Sequence, residues 1–404
     1  MTRAAASTIA VVGASIAGLS AADTLRARGH DGPLVLVDPS PELPSDRPPL
    51  SKQVLSGEWS ADQARQPLAS RVDALDLDLR LGIAATSLDV DSLTLGLSDG
   101  SALATGGVVI ASGSSPRTLG GPSLRGVHVL RNLSDALALR EDLDGGAARV
   151  AVIGAGFLGA EVAATCRGLG ATVTMIEAAP APLGRVLPSA VGAFLADLHR
   201  DNGVDVRLGL PVDGLVDDGS ENVSGVRMAD GSVVDADVVV VGIGVTPNLG
   251  WLEGSGLDLA DGVVCDATCL AAPGITAAGD VASWVNEHFG ERMRVEHWEH
   301  AMEHGEAAAL RLLGGDPGAV PFLSVPWFWS DQYGHKIQMA GRPGGDDEVH
   351  VLEGSFAERR VVAAFRRGDR CTGVLAVDRP RHAIQARMQL RRSLDWTPIV
   401  DLFA

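Results

Sequence analysis

Lysine is almost missing from this 404-residue chain: of 33 basic residues only Lys52 and Lys336 are lysines. Tyrosine occurs once, aromatic residues make up 4%, and there are four cysteines. Cys166, Cys265, Cys269 and Cys371 form no C-x-x-C or C-x-x-x-x-C pair, and none precedes position 166. That pattern argues against a redox-active disulfide and against a zinc site, so no metal is expected. Cys265 and Cys269, four apart, are read as structural thiols. Long apolar runs are also lacking, since none approaches the roughly 20 residues that span a bilayer. Met1–Thr8 is too short and polar for a signal peptide, so a cytoplasmic location without a membrane partner is expected. Positive charge is scarce overall: the net charge is −18 and the pI about 4.9. Such a surface repels nucleic acid, which is not expected as a partner.

Glycine, by contrast, is abundant (49 residues), and 46% of the chain is apolar. This balance suits an α/β protein of tight strand-to-helix turns. Two segments repeat one pattern. STIAVVGASIAGLSAA from Ser7 leads into a strand ending at Asp38, and RVAVIGAGFLGAEVAA from Arg149 leads into one ending at Glu177. Each has a β-branched run, a glycine turn, a small-residue helix and an acid-terminated strand, a βαβ unit read twice. A β-meander follows each copy, with turns at Ser98-Asp99-Gly100 and Asp230-Gly231. The fold expected is two Rossmann-like dinucleotide-binding domains plus an α+β C-terminal domain.

A glycine turn before a helix lets backbone N–H groups approach a pyrophosphate. Gly154, Gly156 and Gly159 complete G-x-G-x-x-G, whereas the first copy reads Gly13, Ser15, Gly18. The acids fall 20 residues after Gly18 and 18 after Gly159, the spacing of a ribose-binding carboxylate. Two dinucleotide sites joined by hydride transfer imply a flavin and a nicotinamide. Glu177 is followed by alanines and repels a 2′-phosphate, which favours NADH; Arg185, eight residues on, is a candidate coenzyme contact and the one charge there that would suit NADPH instead. Where lysine is nearly absent, one that persists is a candidate for a compact point charge, and Lys52 closes the proline-stiffened run DRPPLSK (46–52).

The chain resembles the oxygenase-coupled NADH-dependent ferredoxin reductases, the putidaredoxin reductase and rubredoxin reductase group. The resemblance is carried by DRPPLSK, ASGSSPR (111–117), IGAGFLGAEVA (153–163), GIGVTPN (242–248), TAAGDVA (276–282), EHWEHAMEHG (296–305) and PWFWSDQYGHKIQMAG (326–341). It implies a discontinuous FAD domain over 1–115 and 246–325, an inserted NADH domain over 116–245, and a C-terminal domain over 326–404. It places Gly13, Ser15, Gly18 and Asp38 at the FAD pyrophosphate and ribose. Arg47, Ala85, Arg117, Asp280, Trp298 and Trp329 belong to the flavin site by the same resemblance, and Gly244 is assigned to a cofactor. Lys52 would lie by the isoalloxazine and pair with Glu161, near the nicotinamide. The implied reaction is hydride transfer from NADH to FAD, then single electrons to a 2Fe-2S ferredoxin, or a rubredoxin, that feeds an oxygenase.

Three other readings compete: a disulfide or peroxide reductase, a direct NADH oxidase, and a redox-sensing FAD/NADH-binding protein. A monomer or weak dimer is expected. Residues 356–404 carry ten arginines against five acids, a local +5 on a chain that is otherwise about −23. This basic island is a candidate receiver for an acidic partner, unless its arginines pair with the protein's own carboxylates.

Overall fold

The computed structural model describes residues 7–121, 123–144, 148–184 and 186–403. The described residues divide into two compact units. One comprises the chain up to residue 46 with 65–115 and 246–324; the other comprises 47–64, 116–245 and 325–403.

The core of the first unit is a six-stranded sheet in the order Leu270–Ala272, Ile275–Ala277, Gly107–Ile110, Ile9–Val12, Leu34–Asp38, Asp78–Leu81. All its pairings are parallel except that of the first two strands. Strands buried on both faces read as continuous apolar runs, which is how IAVV and LVLV appear. The helix Ile16–Ala27 follows the first glycine turn and packs on Trp298–Gly314. The crossing is close because it is made at Gly305, where a Cβ would stand 2.2 Å from the Ala17 carbonyl oxygen. The expected meander is the antiparallel sheet Ala85–Asp89, Thr94–Leu97, Ala102–Ala104.

The second unit repeats the plan. Its parallel sheet runs Asp205–Leu208, Thr172–Glu177, Arg149–Ile153, Val238–Val241, Val127–His128, with the meander Val212–Asp217, Val223–Met228, Val233–Asp235. The same unit holds a five-stranded antiparallel sheet in the order Trp327–Gln332, His335–Gly341, Arg370–Val377, Arg360–Arg367, Glu348–Ser355. Phe328, Met339, Phe365 and Leu375 from this sheet share a core with Val191, Phe194 and Leu198 of the helix Ser189–Asp201. Among the described residues no helix is long and apolar enough to cross a membrane.

Candidate functional site

The two glycine turns are built alike. Gly13 has φ +116° and donates its N–H to the Val37 carbonyl at 2.8 Å; Gly154 has φ +101° and donates to the Ile176 carbonyl at 2.8 Å. A Cβ on Gly13 would stand 2.2 Å from the Ala111 carbonyl oxygen, and one on Gly154 2.2 Å from that of Gly242. At Gly18 and Gly159 it would stand 1.9 and 2.1 Å from the carbonyl oxygens of Gly13 and Gly154. These four positions admit only glycine, because strand, turn and helix touch through backbone there. The middle position differs. A Cβ on Gly156 meets nothing within 4 Å, which explains why the first copy tolerates Ser15. Ser15 makes no capping hydrogen bond and leaves the first N–H groups of its helix uncapped by its side chain.

Each acid is tied to its own glycine turn. Asp38 accepts from the Ala14 N–H at 2.7 Å and the Ser40 N–H at 2.8 Å. Glu177 accepts from the Ala155 N–H at 3.0 Å and the Ala179 N–H at 2.9 Å. A carboxylate has about four acceptor positions, so each keeps capacity for a ribose diol while its orientation is fixed. The residues therefore fit two dinucleotides. Glu177→Ala is expected to narrow the preference for NADH over NADPH by about 1–3 kcal/mol, the scale of a charge-assisted hydrogen bond. Steady-state kcat/KM with both coenzymes measures it, and an unaltered ratio would remove Glu177 from coenzyme choice. Arg185 lies outside the described residues.

Elsewhere in the first unit, Asp280 accepts from the Ser114 hydroxyl at 2.8 Å, and Gly279 before it takes φ +74°. Trp298 is half-buried at the start of its helix and donates its indole N–H to Asp46 at 2.7 Å. Ala85 opens the first meander strand, half-buried. His300 and His304 of EHWEHAMEHG stack among Trp284 and Phe322 in the core. Burial pushes His304 down to about 3 and His300 well below its usual range, so both are neutral core residues. Cys265 and Cys269 are buried free thiols, the first pushed up to about 12 by burial and the second raised well above its ordinary value. Neither has the thiolate character of a redox cysteine.

In the second unit, DRPPLSK is not a plain loop. After Pro48 and Pro49 the chain makes one turn of π-helix, Leu50–Val54, whose Val54 N–H reaches the Pro49 carbonyl at 2.9 Å. Such turns re-aim side chains at functional positions. This one starts at Arg47, whose carbonyl accepts from the Leu50 N–H at 3.0 Å, and it carries Ser51 and Lys52 to Glu161 on the glycine-turn helix Phe157–Gly168. Lys52 Nζ and Ser51 Oγ each lie 2.5 Å from Glu161 Oε2, and Ser330 Oγ donates to Oε1 at 2.8 Å. A cleft of about 370 Å³ reaches Lys52 and is lined further by Thr165, Leu169, Gln332 and Tyr333. Arg117 donates its backbone N–H to the Gly244 carbonyl at 2.9 Å, with Gly244 at φ +96°. Trp329 is half-buried in the middle of Trp327–Gln332, opposite Gln338.

Lys52 and Glu161 thus meet as the resemblance implies, while Ser51, Ser330 and Gln332 were not singled out from sequence. Their only signal is position inside two motifs, and serine and glutamine carry no periodicity that marks a buried hydrogen bond. Among the described residues no group of three or more His, Cys, Asp or Glu side chains is placed to hold a metal ion.

The family model for pyridine nucleotide-disulphide oxidoreductases matches residues 7–305, and one described as the reductase C-terminal region matches 327–399. The chain belongs to the pyridine nucleotide-disulphide oxidoreductase family: it is an FAD- and NADH-dependent oxidoreductase. Within that family it is 40% identical over 347 residues to the ferredoxin–NAD(+) reductase component of the anthranilate 1,2-dioxygenase system of Burkholderia cepacia, covering 84% of this chain and 83% of that one. It is 35% identical to rhodocoxin reductase of Rhodococcus erythropolis, covering 96% of this chain and 91% of that protein. Among solved structures, it superposes on a chain of the covalent putidaredoxin reductase–putidaredoxin complex with a TM-score of 0.90. That match has 32% identity and covers 98% of this chain and 96% of the other.

Proposed function

We propose that this protein is an FAD-dependent NADH:ferredoxin oxidoreductase that supplies electrons to an oxygenase through a 2Fe-2S ferredoxin, working in the cytoplasm. The observation that carries the reading is the pair of glycine turns, each locked to a carboxylate, in a chain that matches a dioxygenase-system ferredoxin–NAD(+) reductase over 84% of its length and rhodocoxin reductase over 96%. Bound FAD supplies the conversion of a two-electron hydride into single electrons.

The chain's own residues do the rest. Gly13, Ser15, Gly18 and Asp38 bind the FAD pyrophosphate and ribose, with Arg117 near the pyrophosphate and the Ala85 backbone at the adenine; Asp280 hydrogen-bonds the ribityl chain, Arg47 lies at the FAD, and Trp298 and Trp329 line the flavin. Gly154, Gly156, Gly159, Glu177 and Gly244 hold NADH. Lys52 presents an ammonium that stabilises negative charge on the reduced ring, and Glu161 holds it in place. The division into an FAD domain (1–115 and 246–325), an NADH domain (116–245) and a C-terminal domain (326–404) belongs to the same proposal.

Docking of the ferredoxin is assigned to the helix Pro380–Arg392. It buries Ala383, Ala386 and Leu390 and exposes Arg381, Ile384, Met388 and Arg392 along the opposite stripe. Ile384 is 53% and Met388 54% exposed, an apolar pair between two cations on a protein of net charge −18. Other arginines of the basic island are taken up internally: Arg359 by Asp201, Arg367 by Asp347, Arg379 by Glu353. Steering by the exposed cations is screened over about 10 Å at 0.1 M salt. Ferredoxin-dependent cytochrome c reduction is therefore expected to fall severalfold as salt rises, while reduction of a small neutral quinone holds steady. Arg381→Glu combined with Arg392→Glu is expected to raise the KM for ferredoxin about tenfold and leave that for NADH unchanged. A ferredoxin reaction indifferent to both salt and charge reversal would place docking elsewhere.

A further inference from the structure

Three segments far apart in sequence converge on one buried carboxylate. Glu161 sits on the glycine-turn helix; Ser51 and Lys52 come from the π-turn, and Ser330 from the strand Trp327–Gln332, 169 residues away. Lys52 and Ser51 both engage Oε2, so Oε1 depends on the Ser330 hydroxyl. Ser330 is fully buried, and Gln332, two residues on and on the same face of the strand, donates its side-chain Nε2 to Ser330 Oγ at 3.0 Å. A hydroxyl has one proton. With the Gln332 N–H occupying a lone pair of Oγ, that proton is left for Glu161.

We propose that Ser330 is a positioning residue for the Lys52–Glu161 pair, with Gln332 orienting its hydroxyl. The carboxyl torsion of a glutamate is broad and nearly two-fold, so a carboxylate anchored at one oxygen can swing. Anchoring both oxygens fixes the plane of the carboxylate and, through Oε2, the place of the Lys52 ammonium. Without Ser330, Oε1 is a buried charged acceptor lacking that donor, and it competes for the ammonium that the flavin is meant to feel. The inference rests on the proposed hydride transfer from NADH to FAD.

The test compares Ser330→Ala, Ser330→Thr and Gln332→Leu as FAD-loaded proteins. Ser330→Ala is expected to lower the limiting rate of flavin reduction about tenfold with the Kd for NADH unchanged, while Ser330→Thr, which keeps the hydroxyl, stays within about threefold of the parent. The flavin midpoint potential, measured by dithionite titration, is expected to become more negative in Ser330→Ala and to return in Ser330→Thr. Gln332→Leu is expected to shift both quantities in the direction of Ser330→Ala, and it decides the matter if Ser330→Ala does not fold. Equal behaviour of the alanine and threonine variants, or an unmoved potential, overturns the proposal. A parent protein whose flavin NADH does not reduce would overturn the hydride-transfer reading, and the potentials would still decide the role of Ser330.

Discussion

Replacing Lys52 by methionine is expected to lower the limiting rate of flavin reduction by NADH about a hundredfold while FAD stays bound, the usual scale for deleting one preorganised charge donor. Methionine keeps the unbranched stem and removes only the ammonium. Glu161 retains Ser51 and Ser330 as donors, at 2.5 and 2.8 Å, but loses its cation, and a buried carboxylate left without one also costs stability. The rate is therefore read on folded, FAD-loaded protein, where the missing ammonium no longer offsets negative charge on the reduced ring. Stopped-flow absorbance of the oxidised flavin band under anaerobic conditions measures it. A Lys52→Met rate equal to that of the parent removes Lys52 from the mechanism.

Gly13→Ala is expected to yield a protein with less than about a tenth of the parent's FAD, since every 1.4 kcal/mol of lost affinity is tenfold. At φ +116° an alanine is strained, and its Cβ would lie 2.2 Å from the Ala111 carbonyl oxygen. Backbone cannot rotate out of the way as a side-chain tip can, so the turn must leave the strand, and the helix N-terminus moves with it. Ser15→Gly is the matched control. Its side chain caps nothing, and the equivalent Gly156 has open space around it, so FAD content is expected to stay at the parental level. Flavin-to-protein absorbance ratios read both. An alanine at position 13 with full flavin content would refute the account of the turn.

What could be read from sequence follows from which physical constraints leave a residue-type signature. A positive φ and backbone contact at van der Waals limits write glycine into four positions, so both dinucleotide turns and their acids were legible. Continuous β-branched runs marked the buried parallel strands. Lys52 stood out because lysine is otherwise nearly absent. The π-turn that aims it did not, since two prolines stiffen a segment without saying how it bends. Ser330 and Ser51 were invisible for a different reason: their hydrogen bonds reach across 169 and 110 residues, and a buried hydroxyl looks like any other serine. The basic island was legible as a net charge, but Arg359 finds its partner Asp201 158 residues away, which no local count reveals.

Electrons are expected to enter as a hydride from NADH and to leave singly to a ferredoxin. Sequential-mixing stopped flow tests it directly: one equivalent of NADH is mixed anaerobically with the FAD-loaded protein, and the product is then mixed with oxidised 2Fe-2S ferredoxin. The first mix is expected to bleach the flavin, and the second to restore its absorbance while two equivalents of ferredoxin become reduced. A flavin that NADH bleaches but ferredoxin leaves reduced, and that dioxygen reoxidises rapidly, would contradict it and identify the protein as an NADH oxidase.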